Sequence, residues 1–117
     1  MSIEEQEEFI KAWESIATEV HITAIEKGFY DDNKKRNAGE AIALIHSEVS
    51  EVLEALRKPE QLASAKIPQF SEVEEELADV VIRVMDFQKA YGYALGSAIL
   101  AKMAYNKTRP PKHGKKF

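Results

Sequence analysis

Two pairs of carboxylates, each with its members three residues apart, lie inside apolar helical patterns of this chain. Glu48 and Glu51 form the first pair, and Glu76 and Asp79 form the second. Residues three apart share one face of a helix. Four acids between packed helices would repel one another in a poorly solvated space, so the pattern predicts a neutralising partner. All-oxygen ligand sets suit Mg²⁺ or Mn²⁺, and these four residues are therefore candidate metal ligands.

The apolar pattern predicts an all-α protein. Three- and four-residue spacing of apolar side chains indicates amphipathic helices, and no segment shows strand-like alternation. We predict four helices, at about residues 3–26, 38–57, 71–91 and 93–106. The whole chain, 1–117, is expected to form a single domain of the four-helix-bundle type.

Local signals predict where these helices begin and end. Gly28 is expected to end the first helix, and Pro59 prevents the second from continuing. Ser71 and Glu74 have the spacing of a capping box that begins the third. The polar residues 29–36 predict a loop. Residues 59–70 predict a linker with at most a short helical turn.

Composition excludes several classes of function. The 117 residues are 44% hydrophobic and 31% charged, as expected for a soluble globular domain. The absence of cysteine excludes disulfides, thiolate metal sites and cysteine nucleophiles. No apolar run is long enough to cross a membrane, and the acidic N-terminus lacks the features of a secretory signal. We therefore expect a cytoplasmic protein without a membrane partner.

The charge is divided unevenly along the chain. Residues 1–86 hold all 20 acids and nine bases, a balance of −11, whereas residues 87–117 hold seven bases and no acid. Such a basic end can bind phosphate, dock on the acidic surface or remain a solvated tail. Binding to nucleic acid is not expected, because no basic helix or aromatic platform accompanies the charge.

The acids could instead belong to a di-iron site, or they could be ordinary surface residues. A di-iron bundle would need Glu-x-x-His motifs, but the residues three before the histidines His21, His46 and His113 are Thr18, Ala43 and Pro110. The acids could also be solvated surface residues. This alternative stays open because other acids of this chain share the same spacing. No G-x-S-x-G or glycine-rich phosphate loop supports another chemistry.

Three segments together resemble the MazG-like nucleoside triphosphate pyrophosphohydrolases. They are GEAIALIHSEVSEVLEALR, EEELADVVIRVMDF and KMAYNKTRPPKHGKKF. The family signature is E-E-x-x-E followed, after a variable linker, by E-x-x-D. Glu48 and Glu51 match the last two acids of its first part, and Glu76 and Asp79 match its second part. The resemblance extends from about residue 37 to the end of the chain.

The resemblance implies a MazG-like all-α fold and a Mg²⁺-dependent reaction, with Mn²⁺ as an alternative. A nucleoside triphosphate and water would give the monophosphate and pyrophosphate, commonly to remove damaged or surplus nucleotides. Relatives are usually dimers or tetramers, so a homo-oligomer is expected. The alternatives are a dUTPase or a phosphoribosyl-ATP pyrophosphohydrolase of the same superfamily, or a non-enzymatic helical interaction module.

One position departs from the signature. Ser47 stands where the family has its leading glutamate, and a serine hydroxyl is too weak to replace a carboxylate as a base. Either Glu51 or Glu54, one helical turn further on, could accept the proton of the attacking water. Alternatively, the metal could activate the water without a dedicated base.

The resemblance also suggests substrate contacts. Lys102, Asn106 and Arg109 follow a K-x-x-x-N-x-x-R pattern like the family's phosphate-contacting segment, although these could be ordinary exposed and helix-end residues. Asp86 lies two turns after Asp79 and could approach the sugar, or pair with Arg83. Trp13 could stack on a base or be a core residue.

Overall fold

The computed structural model describes residues 1–31 and 36–117, and in this part of the chain it is all-α. Its helices are α1 Ile3–Glu26, α2 Ala38–Arg57, α3 Glu72–Tyr91 and α4 Leu95–Lys107. A short 3₁₀ helix follows at Pro111–Gly114. The described residues contain no strand, and one isolated antiparallel bridge joins Ala63 and Ser71. The predicted loop at 29–36 lies partly outside the described residues.

The predicted start of α3 is confirmed by its capping geometry. The Glu74 backbone N–H donates to the Ser71 hydroxyl at 3.1 Å, and the Ser71 N–H donates to the Glu74 carboxylate at 3.0 Å. Ser2 and Glu5 make the same reciprocal pair at the start of α1. Each box satisfies backbone donors that a helix leaves unpaired at its first turn.

Gly28 ends α1, as predicted, and directs the chain back toward the bundle. Its φ of +89° is a left-handed conformation that side-chain-bearing residues rarely adopt. The Phe29 N–H then donates to the Ala24 carbonyl at 3.1 Å. This turn places Phe29 and Tyr30 beside the end of α1.

One predicted helix boundary differs from the structure, and the predicted linker is an ordered loop. α4 begins at Leu95 rather than at Tyr93, because the Tyr93 N–H still donates to the Gln88 carbonyl and so closes the end of α3. Residues 59–70 contain no helical turn. Instead, the Ser64 N–H donates to the Phe70 carbonyl and the Glu72 N–H to the Leu62 carbonyl, both at 2.9 Å, which folds the linker into a closed loop.

Helix α3 lies at the centre of the arrangement. It packs against α2 on one side and α1 on the other, and α4 packs mainly against α1. The most deeply buried side chains form a thin core of Ala17, Ala55 and Met85 together with the polar residues Ser64 and Gln88. A core this small leaves much apolar surface exposed.

A hydrogen-bond network around Gln88 joins α1, α3 and α4. Gln88 is 2% exposed, its Oε1 accepts from Trp13 Nε1 at 2.6 Å, and its Nε2 donates to Glu14 at 2.8 Å. The Gly96 N–H also donates to Glu14, at 3.3 Å. A side chain at Gly96 would begin 3.3 Å from the Trp13 ring, so the glycine permits α4 to approach this closely.

Helix α2 does not bury all of its apolar side chains within this chain. Val49, Leu53 and Leu56 are 50%, 56% and 54% exposed. Helix α2 is rotated so that Ala55 is buried and Glu48 partly buried, while these three residues lie on a different, more exposed face. The apolar side chains of Leu77 and Val81 on α3 are likewise exposed.

No helix in the described ranges has both the length and the apolar character needed to cross a bilayer.

Candidate metal and phosphate site

Three of the four predicted acids converge between α2 and α3. Glu48, Glu76 and Asp79 each offer a carboxylate oxygen, and these oxygens lie within 4.8 Å of one another. All three side chains are partly buried. Ligands on opposite sides of a Mg²⁺ ion are about 4 Å apart, twice a Mg–O distance of about 2.0–2.1 Å. The donor type and spacing therefore fit a hard divalent cation.

Glu51 and Glu54 lie progressively further around α2. Glu51 is exposed and outside the triplet, but its charge still raises the pKa of Glu76. Glu54 is exposed and pairs with Arg57 at 3.2 Å. Ser47 is also exposed. Glu51, one of the two candidate proton acceptors, thus interacts electrostatically with the triplet.

Burial and mutual repulsion disfavour the charged forms of the clustered carboxylates. Burial raises the pKa of Asp79, and the neighbouring charges of Glu48 and Glu75 raise it further. Burial also raises the pKa of Glu76, with added repulsion from Glu75, Asp79 and Glu51. The protein thus concentrates negative charge where its own solvation is poor. A bound divalent cation would relieve this repulsion.

Arg83 partly neutralises the cluster from one side. Its Nε donates to Glu48 Oε1 at 2.7 Å, and the Glu48 side chain is only 17% exposed. The pairing that the sequence suggested between Arg83 and Asp86 does not form among the described residues. Arg83 lies four residues after Asp79, so both side chains share the face of α3 that approaches Glu48.

A cavity of about 380 Å³ adjoins the carboxylates. Glu48 and Asp79 line it together with four cationic side chains, which are Lys27, Arg36, Lys66 and Arg83. Phe29 and Ile82 contribute apolar wall, and the Arg36 guanidinium lies 5.5 Å from the centre of the Phe29 ring. The volume falls within the range of about 300–1,000 Å³ typical of small-molecule sites. Acidic and basic walls facing one cavity suit a metal-bound anion.

Asp86 lines the same cavity but is already engaged by two donors. His21 Nδ1 lies 2.7 Å from one of its oxygens, and the Tyr30 hydroxyl donates to the other at 2.7 Å. Burial raises the pKa of Tyr30, and the Asp86 hydrogen bond and charge add to this effect. These contacts tie the segment after α1 to α3 and so position the wall formed by Phe29.

The other predicted substrate contacts lie elsewhere in this chain. Lys102, Asn106 and Arg109 belong to α4 and its end, and none of them lines the cavity. The Lys102 ammonium and the Arg109 guanidinium lie 4.7 and 5.7 Å from the centre of the Tyr105 ring. The Asn106 side-chain oxygen is buried without a hydrogen-bond partner among the described residues.

Trp13 is also remote from the carboxylates. It lies where α1 meets α3 and α4, with its ring 5.9 Å from that of Phe9 and its N–H bonded to Gln88. This is the environment of a packing residue.

Sequence reasoning missed Glu75, Lys66 and Ser64 beside the acids, as well as the cavity-lining cations Lys27 and Arg36. Glu75 is four residues before Asp79, so helical spacing alone could have placed it on that face. It accepts a hydrogen bond from Ser64, which lies in the closed loop together with Lys66. No local pattern identifies the two loop residues, because their positions depend on how the linker folds.

No protein-family model, curated protein or solved structure matches this chain.

Proposed function

We propose that this chain is a Mg²⁺-dependent nucleoside triphosphate pyrophosphohydrolase of the MazG-like kind. The observation that supports this most is the convergence of Glu48, Glu76 and Asp79 beside a cavity that also has cationic walls. A triphosphate carries several negative charges, and it would bind where a carboxylate-held cation and basic side chains face the same space. Mn²⁺ satisfies the same oxygen ligands.

The proposed reaction cleaves the bond between the α- and β-phosphates. A water oxygen attacks the α-phosphorus, the α–β anhydride bond breaks, and the products are the nucleoside monophosphate and pyrophosphate. When bound, the cation neutralises the charge that develops on the phosphate oxygens. Glu48, Glu76 and Asp79 would hold it, and Arg83 keeps Glu48 oriented by their 2.7 Å contact.

Glu51 is the proposed acceptor of the water proton. Its carboxylate is exposed, and its charge is felt at Glu76. Glu54 is the weaker candidate, because it lies further around the helix and is paired with Arg57. Ser47 cannot take this role, since its hydroxyl is not basic enough.

A homo-oligomer forms the second part of the proposal. The chain exposes 8833 Å² of surface, whereas a compact monomer of 13.2 kDa exposes about 6,400 Å². Its radius of gyration is 16.8 Å, against about 13.4 Å for a compact chain of this length. The excess of about 2,400 Å² exceeds the roughly 800 Å² that each partner buries in a standard interface.

Oligomerisation also gives the predicted phosphate contacts at the end of the chain a place in the proposed mechanism. Lys102, Asn106 and Arg109 do not line this chain's own cavity. In an oligomer they could reach the acidic site of another copy. The expected setting is the cytoplasmic nucleotide pool.

The deciding experiment is a nucleotide panel. Each common NTP and dNTP, dUTP and phosphoribosyl-ATP are incubated with the protein and Mg²⁺, and both products are quantified. We expect pyrophosphate and monophosphate in equal amounts, and loss of at least about 100-fold in kcat/KM for Asp79→Asn, since even second-shell changes at metal sites cost 10–100-fold. Glu8→Gln, on the exposed face of α1, is the matched control.

The other outcomes of the nucleotide panel would either favour an alternative function or refute the proposed reaction. Turnover of dUTP or phosphoribosyl-ATP alone would assign the chain to those branches of the superfamily. Phosphate release in place of pyrophosphate would refute the proposed bond cleavage. No turnover with any nucleotide, together with a melting temperature that Mg²⁺ does not change, would identify a helical interaction module.

A further inference from the structure

We propose that the closed loop at residues 62–72 is a phosphate-binding element of the cavity, and that Lys66 is its contact with the polyphosphate. This inference deepens the proposed function and rests on it for the identity of the ligand. It assigns the anion contact to the linker between α2 and α3, within the same chain as the carboxylates.

The loop is built to hold one conformation. Ala63 and Ser71 close its base as an antiparallel bridge. Inside it, the Ser64 hydroxyl accepts from the Lys66 N–H at 3.2 Å and from the Ile67 N–H at 3.0 Å. The Phe70 N–H donates to the Ile67 carbonyl at 2.9 Å. Ser64 is 1% exposed, so these bonds are shielded from water.

A side-chain hydrogen bond ties the interior of the loop to the acid-bearing helix. The Ser64 hydroxyl donates to Glu75, which lies on α3 next to Glu76 and one turn before Asp79. The position of the Lys66 backbone is thereby coupled to the helix that carries two of the three clustered carboxylates. Ser64 and Glu75 are positioning residues in this arrangement, and Lys66 makes the contact.

Lys66 differs from the neighbouring cation Arg83 in how it is engaged. Arg83 is held by Glu48 at 2.7 Å. Among residues 1–31 and 36–117, Lys66 makes no ion pair within 4.0 Å, and its side chain is exposed while lining the cavity. An ammonium presented in this way retains all three donors for phosphate oxygens.

The electrostatic effect of Lys66 on Asp79 agrees with a position beside the carboxylates. The Lys66 charge lowers the pKa of Asp79, against the opposing effects of burial and of Glu48 and Glu75. Lys66 therefore lies within electrostatic reach of a proposed metal ligand. A phosphate bridging the metal and Lys66 would be bound from two sides.

The test measures binding of inorganic tripolyphosphate by calorimetry, with and without Mg²⁺, so that its result does not depend on turnover. Lys66→Gln is expected to weaken binding about 10- to 100-fold, as loss of one charge-assisted hydrogen bond does. Lys66→Arg should retain most of the affinity. Lys11→Gln, an equal loss of charge on the exposed face of α1, should leave the affinity unchanged.

A double-mutant cycle tests the role of Ser64. If Ser64 acts by placing Lys66, Ser64→Ala should weaken tripolyphosphate binding in the wild-type background and have no further effect in Lys66→Gln. If Ser64→Ala weakened binding equally in both backgrounds, Ser64 would act on the fold and not through Lys66. Thermal melts of each variant separate loss of the fold from loss of the contact, and the exposed Lys66 variants should melt like wild type.

The outcomes distinguish this inference from the proposed function. If nucleotides are hydrolysed but Lys66→Gln and Lys11→Gln bind tripolyphosphate equally well, the Lys66 contact is refuted and the activity stands. If tripolyphosphate binds through Lys66 but no nucleotide is hydrolysed, the anion site stands and the activity is refuted. If the wild type does not bind tripolyphosphate even with Mg²⁺, the phosphate-binding element is refuted.

Discussion

At the scale of single residues, Asp79 shows how the site departs from ordinary folding preferences. Its carboxylate is partly buried beside Glu48 and Glu75, and these surroundings raise its pKa. A group with a raised folded-state pKa contributes stability below its unfolded pKa and loses that contribution as pH rises through the folded pKa. The raised pKa of Asp79 therefore costs the metal-free protein stability at neutral pH, which is above the pKa of the unfolded state.

Asp79→Asn should accordingly raise the melting temperature of the metal-free protein at pH 7. The advantage over wild type should shrink as pH falls toward the pKa of free aspartate, about 3.9, because wild-type Asp79 then becomes neutral too. Melts in EDTA across this pH range measure the difference. Adding Mg²⁺ should stabilise the wild type more than the variant. A variant less stable than wild type throughout would show that Asp79 serves packing.

At the scale of elements, α3 carries the site and contacts both neighbouring helices. Ser71 caps its first turn, which bears Glu75, the next turn bears Glu76 and Asp79, and the last turns bear Asp86 and the buried Gln88. Loss of its first turn would therefore disturb the acids directly. A change at α1's own capping box, at the chain terminus, lies far from them in sequence.

Ser71→Ala tests this element. Removal of a capping serine costs about 1 kcal/mol, within a range of about 0.5–2 kcal/mol. We expect that loss in the free energy of unfolding, measured by urea denaturation, together with weaker Mg²⁺ binding because the first turn of α3 frays. Ser2→Ala removes the matching cap of α1 and should cost less, since a terminal turn can fray locally. Equal losses of Mg²⁺ affinity in both variants would contradict this local account.

At the scale of the whole molecule, the most prominent feature is the exposed apolar surface. The face of α2 formed by Ile42, Val49, Leu53 and Leu56 runs along the helix with steps of seven, four and three residues. These spacings keep all four side chains on one stripe, which a partner helix could cover. Opposite charges on the acidic body and the basic end favour association between copies.

Val49→Glu combined with Leu53→Glu should therefore reduce the molecular mass measured by light scattering to that of one chain, 13.2 kDa. Two charges in the middle of an apolar interface would be buried without partners, which is strongly unfavourable. Ala43→Glu adds a charge to a different exposed face of α2 and should leave the mass unchanged. A wild type that is itself monomeric would exclude the oligomer.

Helix positions and the acids of interest could be read from the sequence because both depend on local spacing. The capping motif of Ser71, the end at Gly28 and the three- and four-residue periodicity of apolar residues are properties of neighbouring residues. The same spacing brought Glu76 and Asp79 to one face of α3. The sequence did not identify which face of α2 meets α3, since its apolar residues cover a wide arc.

Tertiary structure decided which side chains meet. The sequence determined on its own that the chain is helical and carries two acidic pairs, because helix formation and i, i+3 spacing are local. Only the packing of α2 on α3 joined Glu48 to Glu76 and Asp79 and left Glu51 outside the triplet. Only the folding of the linker brought Lys66 to the cavity. Such contacts join residues far apart in the chain, and their geometry follows from the whole fold.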